Sequence, residues 1–106
     1  MMRTVLVAMA FPVLLLRPLA AQEAPGDLDA GIDLAVEVCG QCHGVGFEEE
    51  SPNYDAPTFY EVAQDPAVTA LSLRVFLQTP HHQMPDLMLS SEETDDVITY
   101  ILSLRE

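Results

Sequence analysis

Residues 4–16 form a nearly continuous apolar run, whereas from residue 27 onward apolar positions recur at helical spacing between polar stretches. In "DLDAGIDLAVEVC", Ile32, Ala35, Val36 and Cys39 fall at i, i+3, i+4 and i+7. Aspartates occupy the first turn, where the helix dipole favours them. This predicts a helix running to Cys39. Gly31 inside it costs about 1 kcal/mol relative to alanine, so it marks either a close helix crossing or a loose first turn. From Gly44 to Pro57, "GVGFEEESPNYDAP" has turn formers and no periodicity, which predicts a surface loop, with short helical turns to follow over Phe59–Gln64. "TALSLRVFLQTP" opens on Thr69 as an N-cap, sets Leu73, Phe76 and Leu77 on one face and stops at Pro80. "HHQMPDLML" is again patternless. In "SSEETDDVITYILSLRE", Ser90 and Glu93 form a capping box, Val97, Tyr100, Ile101 and Leu104 make an apolar stripe, and Arg105 sits where the C-terminal end of the dipole favours a cation. No strand pattern or internal repeat appears. The prediction is an all-α chain of three to four helices with two long loops.

The N-terminal run changes how the bulk composition is read. Arg3 before an apolar stretch, then the small-residue cluster "LAAQ", has the form of a secretory signal peptide over residues 1–21, cut after Ala21. The run is shorter than the roughly 20 residues of a membrane span, and Pro12 and Arg17 interrupt it. An uncleaved tether is the alternative. The remaining domain, 22–106, keeps two arginines and all 17 acidic residues, so the net charge moves from −13 to −15. Such acidity excludes nucleic-acid binding, repels anionic lipid and suits docking on a basic partner surface. A domain this small usually supplements its core with a disulfide, a metal or a cofactor.

The supplement lies in "CGQCH", which holds the only two cysteines, Cys39 and Cys42, followed by His43. A redox dithiol requires the motif to open a helix in a β-α-β unit, but here it closes a helix in a strandless chain. A structural zinc site would have to recruit His43, His81 or His82, without the second half that makes such motifs persuasive. A disulfide would close a very small loop and constrain little of the unfolded chain. Cysteine, two residues, cysteine, histidine is the signature of c-type haem attachment. Each thiol adds to one vinyl group, and the adjacent histidine is held beneath the iron. Cys39 and Cys42 are therefore the expected thioether anchors of one haem c, with His43 the proximal ligand. The loop "TPHHQMPDLML" offers Met84, Met88, His81 and His82 to the other face of the iron. A thioether there raises the reduction potential, a second histidine lowers it, and an open position admits ligands.

These stretches together resemble the small class I monohaem cytochromes c of bacteria. The resemblance runs through "CGQCH", "SPNYDAPTF" with "EVA", "LRVFLQTPH", "MPDLMLSSEE" and "DDVITYILSL", essentially the whole of 22–106. The "PHxxMP" loop and the closing helix make it specific. It implies that Met84 is the distal ligand, that Met88 is apolar filler, and that Gly31 and Ala35 pack against Tyr100. It also implies that a loop proline carbonyl accepts the other ring N–H of His43, with Pro52 the first choice and Pro57 the alternative.

The function expected from this resemblance is a periplasmic electron carrier, not an enzyme. It would pass single electrons between a dehydrogenase or quinol-oxidising complex and an acceptor, as a monomer meeting basic partner surfaces through Glu48–Glu50 or through Asp86, Glu92 and Glu93. The alternatives are a cytochrome subunit of a dehydrogenase, or a gas-binding haem with an open axial site.

Overall fold

The structure is a computed structural model that describes residues 26–80 and 83–106. The segment read as a signal peptide, 1–21, and the histidines His81 and His82 lie outside the described residues. Among the described residues four α-helices follow in order: α1 (Leu28–Glu37), α2 (Phe59–Gln64), α3 (Ala70–Gln78) and α4 (Ser91–Ser103). A single 3-10 turn, Cys39–Gln41, follows α1 directly. The described residues contain no strand, as the all-α reading expects.

Each helix starts where a side chain satisfies the first orphan N–H groups. Asp27 accepts from Ala30 N at 2.9 Å to open α1. Thr58, Thr69 and Ser90 each form reciprocal capping boxes, with Glu61, Ser72 and Glu93 respectively. Each cap of this kind contributes about 1 kcal/mol.

The hub is α4, against which α1, α2 and α3 all pack. Val97, Ile98 and Ile101 of α4 are buried with Ala35, Cys39, Val45, Phe59, Ala63 and Leu73. The first helix turns inward through Gly31 and Ala35, and Cys39 of the turn after it continues the buried side. Val36, expected on that face, is exposed. Gly31 is the close crossing: an added Cβ would run into the Asp96 carbonyl and lie 3.1 Å from Tyr100 Cβ. The entry to α1 is tied to α4 by Gly26 N donating to Thr99 Oγ1 at 3.0 Å and Asp27 N donating to Asp96 Oδ1 at 2.7 Å. Buried Asp96 thus has a donor to meet its charge, as a buried carboxylate requires.

Arg105 does something other than complement its own helix dipole. It lies beyond α4 and reaches across to α2 and the turn after it, donating to Ala63 O at 2.7 Å, Val68 O at 2.7 Å and Asp65 O at 3.3 Å. Phe76, expected on the buried face of α3, is 51% exposed. Leu73 alone of the predicted α3 stripe is fully buried, with Leu77 packed partly against the core.

Candidate functional site

The cysteine motif leaves α1 as a tight hook. The N–H groups of Cys42 and His43 both donate to Cys39 O, at 3.1 and 2.9 Å. This turn sends Cys39 into the core and Cys42 to the surface, both as free thiols. Burial pushes the Cys39 thiol up to about 11, opposed only by a smaller hydrogen-bond effect from its own backbone. Burial thus favours the protonated thiol over the thiolate.

His43 is half-buried, and its Nδ1 lies 2.7 Å from Pro57 O. A carbonyl oxygen can only accept, so Nδ1 carries the ring proton and donates it. Nε2 then keeps its lone pair for a metal, the division of labour that ligating histidines use. The carbonyl belongs to Pro57, not to Pro52, which stands exposed in the middle of the loop. The difference has a local cause. Pro57 immediately precedes the capped start of α2, where Phe59 N donates to Gly44 O at 2.8 Å. The start of α2 and the residue after His43 are therefore pinned together. The Phe59 ring stands 5.4 Å from the His43 ring and 6.3 Å from that of Tyr100.

The intervening loop is tethered along its length. Asn53 N donates to Cys42 O at 3.2 Å, Gly44 N to Ser51 Oγ at 2.9 Å, and the Tyr100 hydroxyl to Val45 O at 2.5 Å. Val45 is buried among core residues, a placement that a patternless stretch concealed.

Met84 is half-buried in the loop between α3 and α4. Met88 in the same loop is no filler: it is 86% exposed, and its φ of 51° lies in the left-handed region. Asp86 Oδ1 accepts from Met88 N at 3.1 Å and supports that bend. An open cleft of about 290 Å³ is lined by Leu77, Gln78, Asp86, Met88 and Leu89. Among the described residues no group of three or more His, Cys, Asp or Glu side chains is arranged to hold a bare metal ion.

The donor chemistry fits a covalently held haem. Two free thiols stand three residues apart, and an imidazole has one nitrogen committed to a carbonyl and the other available. The apolar side chains Leu77, Met88 and Leu89 border open space. The sequence profile of the cytochrome c family matches residues 28–105, and the chain belongs to that family as a small class I monohaem cytochrome c, an electron carrier with one covalent haem c. It is similar to cytochrome c-552 of Bradyrhizobium diazoefficiens, with 39% identity over 79 residues, 74% of this chain and 76% of the relative. No solved structure matches the chain.

Proposed function

We propose that the chain is an exported electron carrier in which Cys39 and Cys42 hold the haem by thioether bonds, His43 is the proximal ligand and Met84 the distal one. Residues 1–21 act as the signal peptide, 22–106 form the carrier domain, and the periplasm is the compartment. Haem c, when bound, supplies the one-electron iron couple; the protein holds, orients and shields it. The observation that carries this reading is the pairing of His43 Nδ1 with Pro57 O. It fixes the tautomer that leaves Nε2 to ligate, and it raises the basicity of the ring. Met84, as the second ligand, would favour the reduced iron and leave no coordination position for substrate. The exposed Cys42 marks the edge of the site that a partner can approach.

The partners proposed are proteins with a basic docking surface. Glu48, Glu49, Glu50, Asp86, Glu92 and Glu93 are all exposed. Both cations among the described residues are turned to internal duties: Arg74 pairs with Asp95, and Arg105 is spent on backbone carbonyls. The surface therefore presents a nearly uniform negative field, which steers a cationic partner and rejects an anionic one. Among the described residues no helix is long and apolar enough to cross a membrane.

Mass spectrometry of the exported holoprotein tests the anchors. Wild type should retain one haem under denaturing conditions, as should Cys39→Ala and Cys42→Ala through the single remaining thioether. The double variant should lose it. Covalent haem surviving in the double variant would contradict the assignment.

A further inference from the structure

The last three residues of the chain grip α2 at the end opposite the haem ligand. The helix has six residues, about 9 Å of rise, too short to hold itself together in water. Its position is therefore set by the packing of Phe59 and Ala63 against α4 and by whatever holds its two ends. At the N-terminal end lie Pro57, whose carbonyl accepts from His43, and Phe59, stacked obliquely on the same ring. At the C-terminal end one side chain takes an orphaned helix carbonyl, that of Ala63, together with two carbonyls of the turn that follows, those of Asp65 and Val68. Arg105 Nε donates to Ala63 O at 2.7 Å, and Nη2 donates to Val68 O at 2.7 Å and to Asp65 O at 3.3 Å. Around it, Gln64 Nε2 donates to Leu104 O at 2.8 Å, Glu106 N donates to Gln64 Oε1 at 3.2 Å, and the Tyr60 hydroxyl donates to Glu106 Oε2 at 2.7 Å.

We propose that Arg105 is a positioning residue for the proximal ligand: by clamping the C-terminal end of α2 it holds Pro57 O and Phe59 against His43 and so sets part of the reduction potential. The inference rests on His43 being the axial ligand. The guanidinium is suited to the task because its rigid fork presents several donors at once, whereas an ammonium is a single point charge with no such fixed geometry. A loosened α2 weakens the Nδ1–H···O=C bond, lowers the basicity of the ring and disfavours the oxidised iron. The potential should then rise.

The test uses the exported, haem-loaded chain as wild type, Arg105→Ala, Arg105→Lys and Gln64→Ala. The readouts are the midpoint potential and the solvent exchange of the His43 Nδ1 proton followed by NMR. The wild type is measured first; if its haem is not histidine-ligated, the functional reading fails before this one is tried. With ligation established, Arg105→Ala should shift the potential upward and speed the proton exchange, and Arg105→Lys should recover only part of both. If Arg105→Ala does not accumulate, Arg105→Lys and Gln64→Ala must each shift both readouts in the same directions. A potential that is unchanged or lower, or an unchanged proton exchange, overturns the proposal even where the melting temperature falls, because that is what a merely structural clasp would give.

Discussion

Replacing Gly31 with alanine tests the helix crossing on which the site is hung. The backbone of Gly31 does not have a positive φ, so alanine suits its conformation and gains about 1 kcal/mol of helix propensity. Against that, the new Cβ would overlap the Asp96 carbonyl oxygen, sit 2.7 Å from the Asp96 carbonyl carbon and 3.1 Å from Tyr100 Cβ. A backbone carbonyl cannot swing aside as the tip of a side chain can, so the overpacking cost belongs at the upper end of the usual range of about 1–3 kcal/mol. The net effect should be a loss of about 2 kcal/mol, or roughly 10 °C in melting temperature for a domain of this size. Thermal unfolding of the holoprotein, followed by far-ultraviolet circular dichroism, reads it. The control is Ala30→Gly, one residue away and exposed, where only propensity changes and about 1 kcal/mol should be lost. A Gly31→Ala protein that melts at or above wild type would refute the crossing, since propensity would then have outweighed packing.

Two further outcomes follow from charge and proton balance. Electron transfer to a basic partner should slow steeply as salt rises from low to physiological ionic strength, where the screening length is about 8 Å; stopped-flow rates independent of salt would contradict the acidic docking face. Tyr100 is held above the ordinary tyrosine value of 10.0, first by burial and then by Glu49, and Tyr60 is raised by its hydrogen bond to Glu106. The folded state therefore binds these protons more tightly than the unfolded chain. Their contribution is complete below about pH 10 and is lost as pH rises through the raised folded values. Tyr100→Phe should flatten that alkaline decline in chemical denaturation, leaving the share due to Tyr60. At neutral pH it should cost about 1–3 kcal/mol, because Val45 O loses its donor. A decline as steep as that of wild type would refute this account of Tyr100.

The helices were legible because their signals are local. Ser90 with Glu93 announces α4, Thr69 announces α3, and both caps form as the sequence predicts. Gly31 was legible as an anomaly that needed a partner, and Asp96 with Tyr100 is that partner. Other features depend on pairings across long stretches of chain, which periodicity does not report. By position Arg105 suits the dipole of its own helix, but its acceptors lie 37 to 42 residues away. Val45 is buried inside a segment that carries no pattern, because the Tyr100 hydroxyl and the pinned start of α2 draw the loop inward. The sequence around Pro57 does carry a signal that Pro52 lacks. Thr58 and Glu61 form a capping box, which makes residue 57 the last residue before a fixed helix start and places its carbonyl rigidly. Pro52 has no such support. The resemblance makes Met88 filler, whereas the folded loop leaves it 86% exposed with a left-handed backbone, a conformation that periodicity does not report.

The most direct measurement is the optical spectrum of the exported holoprotein, oxidised, reduced, and reduced under carbon monoxide, for wild type and Met84→Ala. With His43 and Met84 closing the two axial positions, wild type should show the weak long-wavelength sulfur-to-iron band when oxidised and no shift under carbon monoxide. Met84→Ala should lose the band and bind the gas. A wild-type protein that lacks the band and shifts under carbon monoxide would have an open iron, and the closed electron carrier described here would be wrong.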